Sequence, residues 1–399
     1  MQSYGWPSTW PSLQTSVLAL ALLVVLGLIL WWVHLWYWDK KLSVSATYVL
    51  EERLLTADGS AIELRRVELV KAGVPLEPDT DLPPVLLVHG IGANHRNHDL
   101  HPDYSLARYL SGRGRDVWLV TLRSGIRRRT RAETRRVRFA NMVREDIPLA
   151  VRTVLERTGF KRLDYVGFSM GGMLLYAAIG RTVPEPQIRR AVLMGSPAVL
   201  RPPFRVPFAQ RFTRVPFGFL PDTRLRLWAR TGAFASEWLK TPLHHAIFNP
   251  LNVAKGVARM SLANVIEDVP GPLNYDFALW VLSEKGAVTV DGQSVIEALA
   301  DVRVPALFFA GACDRIAPAP AVRVAYDMWG SKHADVSKCF VLLGRAGGAH
   351  EDYGHGDMAM GAHVKEDIFA PLGDFLEKTP VAYPGPRAAQ ERANSSTPA

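Results

Sequence analysis

The sequence predicts an α/β domain built on a mostly parallel central sheet flanked by helices, with an inserted cap and one transmembrane helix ahead of it. Short, continuously apolar runs such as PVLLVH (84–89) and DVWLVT (116–121) are typical of parallel strands buried on both faces. Segments of helical periodicity separate these runs, and strands that alternate with helices form parallel sheets. A long apolar stretch at 17–38 predicts the transmembrane helix.

The predicted elements follow one another in a regular order. A β-hairpin is expected over 48–70, with Asp58-Gly59 at its turn. Further strands are expected at 84–89, 116–121, 163–168, 190–195, 304–310 and 338–344, and helices at 103–111, 141–158, 170–180, 319–329 and 363–377. Gly159 is expected to end the second of these helices.

A stretch rich in proline, arginine and aromatic residues interrupts this alternation between 201 and 301. We expect it to form a cap over the sheet. The chain therefore divides into an N-terminal segment (1–16), a transmembrane anchor (17–38), the first part of the core (45–200), the cap insertion (201–301), the second part of the core (302–378) and a disordered tail (379–399).

The anchor sequence VLALALLVVLGLILWWVHLWYW (17–38) has no charged side chain and is long enough to cross a bilayer core of ~30 Å at ~1.5 Å per residue. Its C-terminal end is rich in tryptophan, as is typical of a membrane–water interface. A cleaved signal peptide, with VSA (44–46) as the cleavage site, is the alternative, but the run is too long for a signal core. Lys40 and Lys41 follow the run, so the positive-inside rule places the large domain in the cytoplasm.

The chain is basic, with 47 lysines and arginines, 38 acidic residues and a net charge of +9. This balance favours a negatively charged partner, and we expect an anionic lipid surface because no nucleic-acid recognition motif accompanies the charge. A solvated basic face is the alternative. Two groups carry the prediction: Arg127, Arg128, Arg129, Arg131, Arg135, Arg136 and Arg138 after one strand, and, in the cap, Arg201, Arg205, Arg211 and Arg214 interleaved with Phe204, Phe208, Phe212, Phe217 and Phe219.

The motif G-F-S-M-G (167–171) lies between a buried strand and a helix of small residues. A sharp turn in that context presents the serine hydroxyl above the end of the strand, at the start of the helix. We therefore predict Ser169 as a catalytic nucleophile; an ordinary strand-to-helix turn is the alternative.

A serine hydroxyl needs a base that takes its proton, and a histidine oriented by a carboxylate is the usual solution. Asp314 follows the strand at 304–310, so it is expected at the same edge of the sheet as Ser169. Its alternative role is a helix cap. Two histidines follow the last strand, His350 and His355, and His355 is favoured because it lies closer to the final helix.

The acyl intermediate also needs backbone N–H donors for its oxyanion. We expect them from Met170, directly after the nucleophile, and from Ile91, in the loop after the strand at 84–89.

No metal or cofactor is expected. His95, His98 and His101 are close in sequence, but a polar loop beside the active site is favoured over a metal site. Cys313 and Cys339 fall at opposite ends of neighbouring strands, so we expect free thiols.

Several stretches in order resemble the acid lipase family of α/β-hydrolases, the gastric and lysosomal type. They are LLVHGIGAN, SLARYLSGRGRDVWLVTLRSG, EDIPLAVRTVLERTGFKRLDYVGFSMGG, GACDRIAP and YGHGDMAMG. The resemblance implies the α/β-hydrolase fold, with Ser169 as nucleophile, Asp314 as acid and His355 as base. Phe168 departs from the histidine that these lipases carry before the serine, and their substrate is not transferred. Polyhydroxyalkanoate synthases are similar but use cysteine, and haloalkane dehalogenases and epoxide hydrolases use aspartate, at this position.

These features together predict a carboxylic ester hydrolase that acts on lipid or other apolar acyl esters through an acyl-Ser169 intermediate. An acyltransferase or thioesterase with the same triad is the first alternative. A non-catalytic membrane scaffold is an alternative of another class, although a scaffold needs none of the three side chains.

Overall fold

The structure, a computed structural model, describes residues 13–71, 74–75, 81–201, 222–238, 245 and 247–377. Three sets of predictions lie outside these residues. They concern the start of the N-terminal segment, the tail at 379–399 and the phenylalanine-rich part of the cap at 202–221.

An eight-stranded sheet forms the centre of the described residues, with the strand order β1-β2-β4-β3-β5-β6-β7-β8. In chain order the strands are β1 (Tyr48–Leu55), β2 (Ala61–Val67), β3 (Val85–Val88), β4 (Val117–Thr121), β5 (Leu163–Phe168), β6 (Ile188–Met194), β7 (Ala306–Gly311) and β8 (Lys338–Leu343). β2 pairs antiparallel with β1 and β4, and every other pair is parallel. The mostly parallel sheet is thus confirmed, and each strand overlaps its predicted position.

The continuous apolar runs arise because the inner strands are covered on both faces. In β3, Leu86 and Val88 belong to one hydrophobic core, whereas Val85 and Leu87 belong to the core on the other side. β1 alternates between half-buried and exposed residues instead, because it lies at the edge of the sheet. Two further two-residue ladders lie outside the sheet: Val70–Lys71 with Val74–Pro75, and Thr289–Val290 with Gln293–Ser294.

Helices fill the connections between strands. They are α1 (Leu13–Leu42), α2 (Leu106–Ser111), α3 (Arg131–Arg135), α4 (Phe139–Asn141), α5 (Ile147–Thr158), α6 (Met170–Ala178), α7 (Leu225–Gly232), α8 (Val257–Asn264), α9 (Gly271–Leu282), α10 (Val295–Ala298), α11 (Ala319–Met328), α12 (Asp357–Met360) and α13 (Ala370–Glu377). Turns of π-helix at Met142–Asp146 and Lys365–Phe369 precede α5 and α13. α5 ends, as predicted, at Gly159, whose φ of +74° suits glycine. α2 begins later than predicted because Ser105 caps it, accepting a hydrogen bond from Arg108 N at 2.9 Å.

The N-terminal helix α1 is longer than the predicted 17–38 and has no buried residue. It is the one helix of the described chain that is long and apolar enough to cross a membrane. Its C-terminal part packs on the segment between β6 and β7. Trp31 Nε1 donates to Thr231 Oγ1 at 3.2 Å, and the His34 ring lies 4.8 Å from that of Phe234. The helix therefore contacts the region where the cap was predicted.

Candidate active site

Ser169 lies at the turn between β5 and α6 in a strained backbone conformation, with φ +52° and ψ −117°. A non-glycine residue with positive φ is uncommon, and such strain persists only when the surroundings impose it. Here the surroundings are tight, since a Cβ on Gly171 would collide with the Val88 carbonyl oxygen and one on Gly172 with the Ser196 side chain. The spaced glycines thus permit the turn that presents Ser169 at the end of β5.

Asp314 and His355 form a buried hydrogen bond, with 2.7 Å between Asp314 Oδ2 and His355 Nδ1. Asp314 Oδ1 accepts hydrogen bonds from the backbone N–H groups of Ile316 and Ala317, both at 2.8 Å. The carboxylate is held in place by these donors, and it fixes the orientation of the imidazole. Nε2 of His355 is consequently the nitrogen available to a second partner.

The serine turn and the histidine meet at β6. Ser169 N donates to Met194 O at 2.8 Å, and a Cβ on the following residue, Gly195, would lie 3.3 Å from Nδ1 of His355. The Phe168 ring centroid lies 5.0 Å from that of His355. Within the described residues Ser169 Oγ makes no hydrogen bond to His355.

His350 has different partners. Its Nδ1 lies 2.8 Å from Asp367 Oδ1, and its ring stacks on His363 with 4.5 Å between centroids. His350 is largely exposed, whereas His355 is buried. Of the two predicted candidates, the structure therefore places only His355 against Asp314.

The loop after β3 passes directly over the serine. A Cβ on Gly90 would lie 3.1 Å from the Cβ of Ser169, so a larger residue at position 90 would crowd the serine. His89 Nε2 accepts from Leu122 N at 3.0 Å, and its Nδ1 therefore donates to Gly90 O at 2.8 Å. Burial lowers the pKa of His89 to about 4, so the ring is a neutral brace for the loop.

The two predicted oxyanion donors flank this approach. Ile91 follows Gly90, and Met170 is the first residue of α6, so its N–H is among those that the helix leaves without an internal partner. The partial positive charge at the start of a helix also favours an anion there.

The three histidines at 95, 98 and 101 have separate environments. His98 Nε2 bonds to Val88 O at 3.1 Å, and His95 Nδ1 bonds to Thr121 Oγ1 at 3.0 Å. His101 is half-buried, and its ring lies near that of Tyr104. Across the described residues, no group of three or more His, Cys, Asp or Glu side chains is arranged to hold a metal ion.

Asp357, which no sequence pattern predicted as a site residue, supports the histidine loop. Its carboxylate is fully buried and accepts hydrogen bonds from Gly354 N (2.9 Å), Asn252 Nδ2 (2.9 Å) and Asn249 N (3.2 Å). Burial raises its pKa above the ordinary value. The position of Asp357 two residues after His355 is a signal in the sequence. Two of its three partners, Asn252 and Asn249, are 105 and 108 residues away along the chain, and only the fold reveals them.

Part of the arginine cluster after β4 makes contacts within the protein. Arg127 pairs with Glu267 at 2.8 Å and Arg138 with Asp276 at 2.5 Å. Arg129 is the most enclosed, and its Nη1 donates to three backbone carbonyl oxygens of its own loop. Four members are solvent-exposed and make no ion pair within the described residues: Arg128, Arg131, Arg135 and Arg136. Of these, Arg136 donates a hydrogen bond to the backbone oxygen of Asp58. The predicted basic surface is thus smaller than the sequence indicates.

A family model described as "alpha/beta hydrolase fold" matches residues 83–340. The chain is 30% identical over 167 residues to the "Probable lipase C14C8.15" of Schizosaccharomyces pombe, covering 38% of this chain and 35% of that protein. It is 31% identical over 137 residues to the human gastric triacylglycerol lipase, covering 32% and 34%. The chain thus spans about a third of the length of the curated relatives it matches.

The fold also matches solved structures. An esterase from Exiguobacterium antarcticum superposes with a TM-score of 0.51 at 14% identity, covering 82% of this chain and 100% of that one. Identity this low shows the shared fold alone.

Proposed function

Because the chain belongs to the α/β-hydrolase fold family, we propose that it is a serine-dependent carboxylic ester hydrolase. The observation that carries the proposal is the buried Asp314–His355 hydrogen bond beside the strained turn at Ser169. The partial matches to lipases support the same reaction class.

In the proposed reaction, His355 Nε2 takes the proton of Ser169 Oγ while that oxygen attacks the ester carbonyl carbon. Asp314 keeps the Nδ1–H of His355 oriented and stabilises the imidazolium that forms. The N–H groups of Ile91 and Met170 stabilise the oxyanion. His355 then protonates the departing alcohol, and a water molecule, deprotonated by His355, releases the acid from the acyl-serine.

We propose lipid or other apolar acyl esters as substrates, under a cap formed by residues 201–301. Helix α7 in this region exposes apolar side chains that an ordinary surface helix would turn toward the protein. Leu225 and Trp228 face outward, Trp228 with 68% of its surface exposed. Arg226 and Arg230 instead form ion pairs, Arg226 with the buried Glu267 and Arg230 with Asp39 of α1. An exposed apolar helix face suits contact with lipid.

We propose that α1 is a retained anchor with the large domain in the cytoplasm. Cleavage at 44–46 would remove a helix that packs on the large domain. Asp39 of α1 pairs with Arg230, and the Asn264 side chain bonds to the Leu42 oxygen and the Val44 N–H at the end of α1. Lys40 and Lys41 at the end of α1 support the cytoplasmic orientation. Helix α7 lies against this end of the anchor, and this packing would bring the cap to the membrane surface.

A fluorophosphonate probe tests the nucleophile in the full-length protein. We expect it to label the wild type but not Ser169→Ala, which should also lose hydrolysis of p-nitrophenyl esters by a factor of about 10³ or more. Ser331→Ala, at an exposed serine, is the matched control and should behave as wild type. Labelling or turnover of wild-type strength in a folded Ser169→Ala protein would contradict the assignment.

A further inference from the structure

A cavity of about 390 Å³ lies where the end of α1 meets four other segments. Its walls come from the residues after α1, the β1–β2 hairpin, the loops after β3 and β4, and the cap around α8. We call it the juxtamembrane cavity. Neither Ser169 nor His355 lines it, so it is separate from the candidate active site.

The lining of the juxtamembrane cavity is strongly basic. It contains the side chains of five arginines and two glutamates, an excess of three positive charges: Arg53, Arg65, Arg96, Arg127 and Arg128 against Glu63 and Glu267. Such a cavity concentrates anions, because clefts lined by one sign of charge focus the field.

Two of these arginines are structural. Each of the three guanidinium nitrogens of Arg65 already donates a hydrogen bond, to Glu51, Thr121 and Glu63. Arg96 donates to the backbone oxygens of Val44 and Asp99. They contribute charge to the cavity but have little capacity for a ligand.

The other three keep donors available. Arg127 uses only Nε, toward Glu267, and Arg53 approaches Glu133 only at 3.9 Å. Arg128 makes no hydrogen bond or ion pair within the described part of the chain. Guanidinium groups with free paired N–H donors match the geometry of phosphate oxygens.

His95 also lines the cavity, with Nδ1 bonded to Thr121 and Nε2 unpaired in the described contacts. Burial, together with Arg65 and Arg96, keeps the pKa of His95 well below its ordinary value. The positive potential is therefore felt by a neighbouring side chain, and the neutral ring adds a polar group without competing charge.

The position of the cavity relates it to the anchor. Ser43 and Val44 directly follow α1 and line the wall. Val44 is fixed on both sides, its N–H donating to Asn264 Oδ1 at 3.1 Å and its oxygen accepting from Arg96 at 2.9 Å. If α1 spans the bilayer as proposed, the cavity lies at the depth of the lipid headgroups.

We propose that the juxtamembrane cavity binds a negatively charged phosphate group, held chiefly by Arg127 and Arg128. A phospholipid headgroup and free phosphate share this chemistry. The site does not depend on the proposed hydrolysis, and only its supply by a lipid rests on the proposed anchor.

The first arm of the test uses inorganic phosphate with the full-length protein in nonionic detergent. We expect a saturable rise of the melting temperature that sodium chloride of equal ionic strength does not produce. Arg128→Gln, which breaks no contact in the described structure, should weaken the apparent affinity about tenfold or more, since one charge-assisted hydrogen bond contributes on that order. Arg131→Gln/Arg135→Gln, exposed arginines of the same segment outside the cavity, is the matched control and should bind as wild type.

The second arm reconstitutes the same proteins in vesicles of phosphatidylcholine and phosphatidylglycerol and measures, by mass spectrometry, the phosphatidylglycerol retained after detergent extraction. Binding in this arm alone identifies a headgroup site, and binding in the first arm alone identifies a free-phosphate site. The proposal is overturned if neither arm shows binding, or if Arg128→Gln and the control variant bind equally well. Ser169→Ala should keep the wild-type response, which separates this site from the fate of the proposed hydrolase activity.

Discussion

Asp357→Ala should destabilise the protein and slow hydrolysis together, because Asp357 ties the His355 loop to residues 249–252. The substitution leaves three donors, on Gly354, Asn252 and Asn249, without their acceptor in a buried place. Each such donor costs about 1–3 kcal/mol. The free energy of unfolding should therefore fall by at least about 3 kcal/mol, a large share of the ~5–15 kcal/mol that a domain possesses.

The kinetic effect follows from the place of the lost bond. Gly354 directly precedes His355, and a catalytic group displaced by about 1 Å can lose ~10² in rate. We expect kcat for a soluble p-nitrophenyl ester to fall while KM changes little, measured below the melting temperature of the variant.

Asp352→Ala is the matched control in the same loop. Its half-buried carboxylate accepts from a single backbone donor, Arg345 N at 2.9 Å, so the loss should stay near 1 kcal/mol with kcat almost unchanged. If Asp357→Ala unfolds at the wild-type denaturant concentration and retains wild-type kcat, Asp357 does not hold the loop and the reasoning is wrong.

Two further predictions concern histidines. His355→Ala should reduce ester hydrolysis as severely as Ser169→Ala, whereas His350→Ala, which loses an exposed contact with Asp367 and the stacking on His363, should be mild; the reverse ranking in a p-nitrophenyl ester assay would move the base to His350. Burial lowers the pKa of His89 and of His98 in the folded protein to about 4. Histidines of the unfolded chain have pKa values of about 6.5, so as the pH falls the unfolded state binds protons before the folded state does. The stability that these rings contribute above pH 6.5 is therefore lost as the pH falls toward 4. At pH 5 the loss should be about 2 kcal/mol for each ring, and equal denaturation midpoints at pH 7 and pH 5 would contradict it.

The pattern of apolar residues along the sequence was sufficient to predict the strands of the central sheet. Strands such as β3 and β4 are continuously apolar because both faces are covered, and this pattern is visible without coordinates. The turn at Ser169 was equally visible from the spacing of the glycines at 167, 171 and 172. The atoms that require glycine at 171 and 172 nevertheless belong to other segments, at Val88 and Ser196. The first and last residues of helices and strands were predicted less well, because a single capping side chain can decide them. Helix α2, for example, begins later than predicted because Ser105 caps it.

Contacts between distant residues were beyond the sequence. The sequence favoured His355 over His350, but only the fold shows that His350 faces Asp367 and His355 faces Asp314. The same holds for Arg127, whose partner Glu267 lies in the cap region. The sequence shows that a charged side chain must be paired or hydrated, but it does not show which of the two applies or which residue is the partner.

By itself, then, the sequence determined the α/β class, the strand positions, the serine turn and an apolar N-terminal helix, because periodicity and glycine spacing are local consequences of burial and backbone sterics. The tertiary structure decided which histidine meets Asp314, which arginines remain exposed, and that α1 packs against α7 and α8. These outcomes depend on side chains brought together from up to some two hundred residues apart, as with Trp31 and Thr231. No local pattern encodes such pairs, since their energy arises only when the chain has folded.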